Sequence, residues 1–247
     1  MQFVNGQPCW VDIMVPDAAT QQVCTQFLTD LLGLRWEIGG PETGHYGMGF
    51  LGRNAVLAVG VRPQGQGQPT VFLKADDIEA TVAAVAAAGG TITMPPMQVM
   101  EAGTLAMAVD PTGAVVGMWQ PNLMRGFGVL GAPGAFTWFD LSTHDVPAAA
   151  AFYQRAFGLG FTPTEVGGML TQGGMSVASI SQAPEGRANA WTPIVRAADL
   201  EAFEERAASL GCAIRMRRMQ VPGGQASAVE HPALGLVVTA YLPGAEA

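Results

Sequence analysis

The chain repeats itself along its length. Residues 75–99 (ADDIEATVAAVAAAGGTITMPPMQV) lie over residues 197–221 (AADLEAFEERAASLGCAIRMRRMQV) at a constant offset of 122. A second match joins residues 9–17 (CWVDIMVPD) to residues 137–145 (TWFDLSTHD). Self-similarity over this length indicates a duplicated supersecondary structure, so the 247 residues are expected to form two similar domains.

Each half is itself built from two similar parts. The parts begin with predicted strands near residues 10–15, 70–75, 137–142 and 192–196, and each strand leads into a helix with an acidic start. In the second part Asp76 stands three residues before Glu79, the spacing of a capping box, and Gly89 can end the helix in the left-handed conformation. Short β segments and tight turns follow each helix. The pattern predicts a β-α-β-β-β unit written four times, and we refer to these units as repeats one to four.

The Gly/Pro-rich segment 120–134 (QPNLMRGFGVLGAPG) separates the two halves. We predict a first domain at 1–122, with repeats at 1–61 and 69–122. A linker follows at 123–134. The second domain is predicted at 135–247, with repeats at 135–182 and 191–247.

Composition limits the classes of partner. Charged residues make up 13% of the chain and the formal net charge is −8, which argues against binding to nucleic acids or anionic membranes. Three cysteines at unrelated spacings (Cys9, Cys24 and Cys212) predict reduced thiols rather than a disulfide framework. No signal peptide is evident, and no apolar run reaches the roughly 18 residues that span a bilayer. We therefore expect a cytoplasmic monomer or homodimer whose partner is a small-molecule ligand.

Several motifs resemble those of the vicinal oxygen chelate superfamily, which includes glyoxalases, bleomycin-resistance and fosfomycin-resistance proteins, and extradiol dioxygenases. They are the starting strands, the segment DVPAAAAFYQRAFGLGF (145–161), the AGG helix end, and the DPTG turn that leads to WQP. The resemblance covers nearly the whole chain and is greatest for tandem two-domain members described as glyoxalase-like or as hydroxylases. It implies an α+β fold in which four βαβββ units pair into two tandem domains, each with a curved mixed sheet and a cleft.

The resemblance also implies where a metal would bind, because the superfamily's ligands come from the first and last strands of each unit. Carried over by position, six of these places hold residues that rarely or never bind metals: Trp10, Thr70, Gly117, Trp138, Thr192 and Thr239. The other places fall in 55–61 and 176–181, which contain no carboxylate or imidazole. A zinc, nickel or iron site needs three or four His, Cys or carboxylate ligands. We therefore expect no metal and no cofactor in either cleft.

Two aspartates are candidate catalytic groups. Strand alternation places Asp12 on the same face as Trp10, and Asp140 on the same face as Trp138. A carboxylate in an apolar cleft has a raised pKa and could act as a base or anchor a ligand. Alternatively, both aspartates could accept hydrogen bonds from neighbouring backbone and hold the repeats together. The sequence leaves both interpretations open.

His45 is a third candidate, since it could act as an acid–base group with Tyr46 behind it. A solvated loop histidine is the alternative. Aromatic and methionine side chains on predicted strands could contact a bulky planar ligand, although core filling is the default role for methionine. The candidate ligand contacts on this basis are Tyr46, Met14, Met48, Trp119 and Tyr241. The six residues at the metal-ligand positions are further candidates for ligand contact: Trp10, Thr70, Gly117, Trp138, Thr192 and Thr239.

Arg217 belongs to a cluster, IRMRRMQ, that replaces ITMPPMQ of the first half. It could orient an acidic group of a ligand in the second cleft. A charged, solvated strand edge is the alternative.

Three functions remain open from the sequence. The first is metal-free binding of a hydrophobic or aromatic small molecule, such as a metabolite or an antibiotic. The second is a cofactor-free isomerase, cyclase or hydroxylase of secondary metabolism that uses Asp12 or His45 as its acid–base group. The third is a metal-dependent glyoxalase or dioxygenase.

Overall fold

The computed structural model describes residues 1–244, which form the predicted β-α-β-β-β pattern four times. The first half contains β1 (Pro8–Val15), α1 (Ala18–Leu32), β2 (Arg35–Ile38), β3 (Gly47–Leu51), β4 (Asn54–Val61), β5 (Pro69–Lys74), α2 (Ile78–Ala87), β6 (Thr91–Val99), β7 (Gly103–Val109) and β8 (Val115–Pro121). The second half contains β9 (Phe136–Thr143), α3 (Val146–Phe157), β10 (Gly160–Thr164), β11 (Gly167–Gln172), β12 (Met175–Gln182), β13 (Ala190–Arg196), α4 (Leu200–Ser209), β14 (Ala213–Val221), β15 (Gly224–Glu230) and β16 (Val237–Pro243). A short 3-10 helix, Pro41–Thr43, lies between β2 and β3.

All four helices begin in the same way. An aspartate at the N-cap accepts a hydrogen bond from the backbone N–H three residues later, which satisfies one of the free donors of the first turn. These N-caps are Asp17, Asp77, Asp145 and Asp199. The capping box predicted from Asp76 was therefore one residue too early, because the Asp76 carboxylate instead pairs with Lys74. The four aspartates fix the point at which each strand turns into its helix.

The strands form two mixed, eight-stranded sheets, as predicted. Their orders are β2-β3-β4-β1-β5-β8-β7-β6 and β10-β11-β12-β9-β13-β16-β15-β14. The first strand of each repeat pairs in parallel with the last strand of the same repeat, and the hairpins are antiparallel. The chain thus has the α+β architecture of two tandem domains. No helix within residues 1–244 is long and apolar enough to cross a membrane.

The packing of the chain groups the repeats in a different way from the sheets. Body one contains residues 1–10, 70–126 and 139–192, and body two contains residues 11–69, 127–138 and 193–244. Helices α2 and α3 pack together in body one, and α1 and α4 pack together in body two. Each body therefore combines one repeat from each half of the chain.

The core of body one contains a buried polar network. The Tyr153 hydroxyl donates to the Asp110 carboxylate at 3.0 Å and accepts from the Trp191 indole N–H at 2.8 Å. Asp110 also accepts from the backbone N–H groups of Thr112 and Ala114. Burial raises the pKa of the Tyr153 hydroxyl well above its usual value, with the nearby Asp110 charge acting in the same direction. Because every member is hydrogen-bonded, the network ties the Asp110 turn to α3 and β13 at little desolvation cost.

Body two makes the corresponding contact without a carboxylate. The turn that follows β15 contains His231, whose ring lies 4.7 Å from the ring of Phe27 in α1. His231 Nδ1 accepts from the backbone N–H of Leu234 at 3.2 Å. Partial burial lowers the pKa of His231. A neutral imidazole therefore occupies the turn position where body one has Asp110.

Candidate functional site

Strand β1 presents two distinct faces in body two. Val11 and Ile13 line a cavity of about 30 Å³ together with Leu28 of α1 and Leu57 of β4. Because side chains alternate along a strand, Asp12 and Met14 lie on the opposite face, away from the helix. This is the face on which the sequence predicted a ligand.

Asp12 meets Tyr46 on that face. The Tyr46 hydroxyl donates a hydrogen bond to the Asp12 carboxylate, whose residue is only 5% exposed. Met48 lies beside them, since it pairs with Ala58 of β4 and Ala58 pairs with Asp12. Four predicted site residues are thus brought together, and we call this surface the Asp12 face: Asp12, Met14, Tyr46 and Met48.

A glycine makes room for the tyrosine. Gly60 pairs with Met14, and a Cβ at position 60 would lie 2.7 Å from the Met14 sulfur and 3.1 Å from Tyr46 Cδ2. Any larger residue would push the methionine and the phenol ring aside. The chain is also fixed before Tyr46, because the His45 carbonyl accepts from Gln21 Nε2 at 2.7 Å. His45 itself is exposed and has a φ of 57°, so its backbone positions Tyr46.

In body one, an aromatic ring covers the position at which the superfamily carries a metal ligand. Gly117 of β8 pairs with Phe72 of β5, and a Cβ at position 117 would lie 2.3 Å from Phe72 Cδ1. Phe72 is 3% exposed. Phe72 was not among the predicted site residues, although it stands two residues after Thr70 and therefore shares its face. A carboxylate at position 117 would require this ring to move.

The neighbouring candidates in body one are largely covered. Trp10 and Trp119 are buried, and the Trp119 indole N–H donates to the carbonyl of Met124 at 2.9 Å. Thr70 is half-buried. The burial of both tryptophans fits core filling better than direct ligand contact.

Asp140 has different partners from Asp12. Ser179 donates to its Oδ1 at 2.5 Å and Ser181 donates to its Oδ2 at 2.6 Å. Burial raises the pKa of Asp140, and the two serine hydrogen bonds oppose that shift. Neither serine was among the predicted site residues, because residues 176–181 were considered only as a source of metal ligands. Their spacing of two places both hydroxyls on one face of β12.

Asp12 and Asp140 differ in the residues that donate hydrogen bonds to them. Ser179 pairs with Asp140 in the second sheet, and Ala58 pairs with Asp12 in the first, so Ser179 and Ala58 occupy equivalent positions. In the same way Ser181 corresponds to Gly60. The hydroxyl donors thus come from β12 in the second sheet, whereas in the first sheet a phenol reaches Asp12 from the residue before β3.

Arg217 does not lie with the other predicted residues of the second half. Met216 pairs with Ala228, which in turn pairs with Thr239, so Met216 shares the face of Thr239. The next residue, Arg217, points the other way and its Nη1 lies 3.4 Å from the Glu204 carboxylate of α4. Glu204 is 4% exposed and accepts from Ser227 at 2.6 Å. Arg217 therefore forms an ion pair on the helix side of the sheet, and a role in ligand binding stays a prediction.

The remaining candidates are accessible to a ligand in part. Thr239 and Tyr241 are two residues apart on β16, so their side chains lie on the same face of that strand in body two. The half-buried candidates of the second half are Trp138, Thr192, Thr239 and Tyr241.

The donor set does not fit the metal that the fold family implies. Within the described residues, 1–244, no three His, Cys, Asp or Glu side chains lie close enough together to hold a metal ion. Trp10, Thr70 and Gly117 supply no imidazole, thiolate or carboxylate at the family's positions.

Comparison with known proteins gives full-length relatives, although no family model matches the chain. The chain is 28% identical over 255 residues to CFP32 of Mycobacterium tuberculosis, which carries a provisional glyoxylase name, covering 98% of this chain and 97% of that protein. It is 29% identical over 249 residues to the anthracycline biosynthesis protein DnrV of Streptomyces peucetius, covering 91% of this chain and 89% of the relative. The anthracycline biosynthesis protein DauV of a Streptomyces species is 32% identical over 185 residues, with coverage of 67% and 65%.

Solved structures agree on the fold. The Mn(II)-bound glyoxalase of Novosphingobium aromaticivorans matches with a TM-score of 0.68 at 14% identity, covering 96% of this chain and 82% of the other. The 2,3-dioxygenase LapB of a Pseudomonas species matches with a TM-score of 0.67 at 12% identity, covering 99% and 94%. At these identities the likeness is one of architecture.

Proposed function

Because the chain belongs to the vicinal oxygen chelate superfamily, we propose that it binds a hydrophobic or aromatic small molecule without a metal, on the Asp12 face of body two. The observation that carries this proposal is the hydrogen bond from Tyr46 to Asp12. It places a polar pair between Met14 and Met48, which are both half-buried. Ligand sites in proteins commonly combine an apolar lining with a few polar groups that orient the ligand.

The chemistry of the face favours an oxygenated aromatic ligand. The Met14 and Met48 side chains are flexible and polarisable, and they make favourable contacts with the edges of aromatic rings. Because the Tyr46 hydroxyl donates its proton to Asp12, its oxygen can accept a hydrogen bond from a ligand hydroxyl. A planar ring system that carries a hydroxyl group could contact the two methionines through its ring and hydrogen-bond to Tyr46 through the hydroxyl.

The relatives support the same class of ligand. DnrV and DauV are named for anthracycline biosynthesis. An anthracycline contains a planar, oxygenated anthraquinone ring system. The metal-free part of the proposal is supported by the ring of Phe72 over Gly117, since a liganding side chain there would collide with it. The manganese-bound glyoxalase shares the architecture alone.

A titration with 1,4-dihydroxyanthraquinone tests the proposal. This probe is planar, carries hydroxyl and carbonyl groups, and has a visible absorbance that reports its environment. We expect a dissociation constant on the order of 10 µM, about 7 kcal/mol, without added metal. Met48→Ser and Tyr46→Phe should each weaken binding by about threefold to tenfold, because each removes one ligand contact.

Met169→Ser is the matched control. Met169 pairs with Ser179 of the second sheet as Met48 pairs with Ala58 of the first, so it is the same kind of residue in the corresponding place. Its substitution should leave the affinity within about twofold. Equal losses in Met48→Ser and Met169→Ser, or failure of the wild type to bind the probe, would count against the Asp12 face.

A second candidate function is cofactor-free acid–base catalysis on the same face. The favouring observation is again the contact between Asp12 and Tyr46, because a buried carboxylate beside a phenol can accept a proton while the phenol stabilises a developing oxyanion. Anthrone is a suitable probe, since its acidic methylene lies across the central ring from its ketone. Once deprotonated, it reacts with dioxygen to give anthraquinone and water. Protein-dependent anthrone consumption should be lost in Asp12→Asn.

Binding must be measured alongside turnover to separate the two functions. For the enzyme, Asp12→Asn loses turnover and still binds 1,4-dihydroxyanthraquinone, and His45→Ala keeps turnover because its side chain is exposed outside the face. Loss of turnover in His45→Ala alone would move the acid–base role to His45. Unchanged turnover in both variants would remove this candidate.

A further inference from the structure

Asp140 of body one carries a charge that its surroundings compensate only in part. Its two side-chain donors, Ser179 and Ser181, are neutral alcohols at 2.5 and 2.6 Å, and both come from β12. The ion pairs found within residues 1–244 use other carboxylates. Burial outweighs the serine hydrogen bonds and holds the pKa of Asp140 above its usual value. An external positive charge would therefore stabilise the ionised carboxylate.

The site remains within reach of a ligand. Asp140, Ser179 and Ser181 are half-buried, in contrast to Asp12, which is 5% exposed. Met169 of β11 pairs with Ser179 and is also half-buried. An anionic group, a hydroxyl and a thioether therefore share one partly open face.

The duplication gives an internal comparison. At the positions of Ser179 and Ser181, the first sheet has Ala58 and Gly60. Asp12 accepts a hydrogen bond from a phenol, which is itself an acidic group. The two aspartates therefore have the same position in their sheets and different chemical surroundings, which predicts different ligand groups.

We propose that Asp140, held by Ser179 and Ser181, is a binding site for the ammonium group of a small aromatic amine. The ammonium donates to the carboxylate as a charge-assisted hydrogen bond, and the aromatic part packs against Met169. The formal net charge of −8 favours approach of a cation to the protein. This site lies in body one and does not require the Asp12 face to bind anything.

A matched pair of probes tests the ammonium preference. In 1-naphthylmethylamine and 1-naphthylmethanol the ring system is the same, and only the amine is charged at pH 7. We expect NMR titration of the full chain to give at least about tenfold tighter binding of the amine, since a charge-assisted bond replaces a neutral one. Asp140→Asn should remove this preference, whereas Asp12→Asn should retain it.

A measurement on the wild type covers the case in which Asp140→Asn does not fold. The carboxyl carbon of Asp140 is followed by NMR as a function of pH with each probe. The amine should lower the apparent pKa of Asp140 and the alcohol should leave it unchanged, because only a bound cation favours the carboxylate. Equal affinity for the two probes, an amine preference that survives in Asp140→Asn, absence of binding by the amine, or an unmoved pKa would each overturn the proposal. None of these outcomes bears on the dihydroxyanthraquinone titration of Met48 and Tyr46.

Discussion

The ring of Phe72 lies against Gly117 so closely that a Cβ at position 117 would be 2.3 Å from Phe72 Cδ1. The two residues are register partners on β5 and β8, so neither strand can move away without breaking the pairing. The place to which the resemblance assigns a last-strand metal ligand is thus covered by an aromatic side chain from the neighbouring strand. Glycine is required here by the packing of Phe72.

Gly117→Ala should therefore destabilise the protein. The added methyl group overlaps the Phe72 ring, and overpacking of this kind costs about 1–3 kcal/mol in the free energy of unfolding. Phe72→Leu in the Gly117→Ala background should recover part of that loss, since it removes the colliding ring atoms. Urea unfolding measures both effects. The control is Thr239→Ala, at the corresponding place in the second half, where a side chain is already accommodated; a loss there as large as that of Gly117→Ala would contradict this account.

Tyr46→Phe should lower stability through the Asp12 carboxylate. The variant removes one hydrogen-bond donor from a carboxylate that is 5% exposed, and hydrogen bonds to charged groups contribute about 1.5–3 kcal/mol. Ala58→Ser in the same background should restore part of the stability, because Ser179 makes this bond to Asp140 in the second sheet. Thermal and urea unfolding would show the rescue. If Ala58→Ser lowers the stability further, a serine at position 58 does not replace the Tyr46 hydroxyl as a donor to Asp12, and this account of the two sites is wrong.

The His231 turn should make stability depend on pH. Partial burial lowers the pKa of the folded imidazole below its usual value of 6.5, so the unfolded chain takes up a proton first as the pH falls. The stability that neutral His231 contributes is complete above pH 6.5 and declines as the pH falls through the lowered pKa. In urea unfolding, the advantage of the wild type over His231→Asn should be larger at pH 8 than at pH 5. Asparagine keeps an oxygen acceptor for the Leu234 N–H, and an equal advantage at both pH values would show that His231 titrates as in the unfolded chain.

Asp140 should make stability depend on pH in the opposite direction from His231. Its pKa in the folded chain is raised, so the folded state holds the proton more tightly than the unfolded state, whose pKa is near 3.8. The stabilising effect of the protonated form is complete below pH 3.8 and is lost as the pH rises through the folded pKa. The stability of the wild type relative to Asp140→Asn should therefore be greater at pH 4 than at pH 7. A difference that stays constant across this range would mean that the serine hydrogen bonds cancel the effect of burial.

The sequence predicted the fold well because its signals are local and repeated. Four aspartates before four amphipathic segments and the regular turn glycines sufficed for the β-α-β-β-β pattern, although the Asp76 cap was misplaced by one residue. Strand alternation was used to predict the face of Asp12, whereas Met14 and Met48 were named only as side chains on predicted strands.

The details that were missed depend on strand pairing. Phe72 covers Gly117 through a register that the sequence does not state, and Ser179 and Ser181 become important only once β12 pairs with β9. The ion pair of Arg217 with Glu204 likewise depends on how β14 packs beside α4, and the sequence alone left a ligand contact and a charged strand edge open for Arg217. The grouping of the repeats into two bodies joins segments far apart in the chain, and no local pattern encodes it.

Metal content is the most direct test of the claim that this fold is used here without a metal. The full chain would be analysed by mass spectrometry as purified and again after incubation with zinc, nickel, iron and manganese and removal of the excess. Because Trp10, Thr70 and Gly117 offer no ligand atoms at the family's positions, we expect well below one metal ion per chain in every sample. Stoichiometric metal that survives desalting would contradict the account and favour a metal-dependent glyoxalase or dioxygenase function.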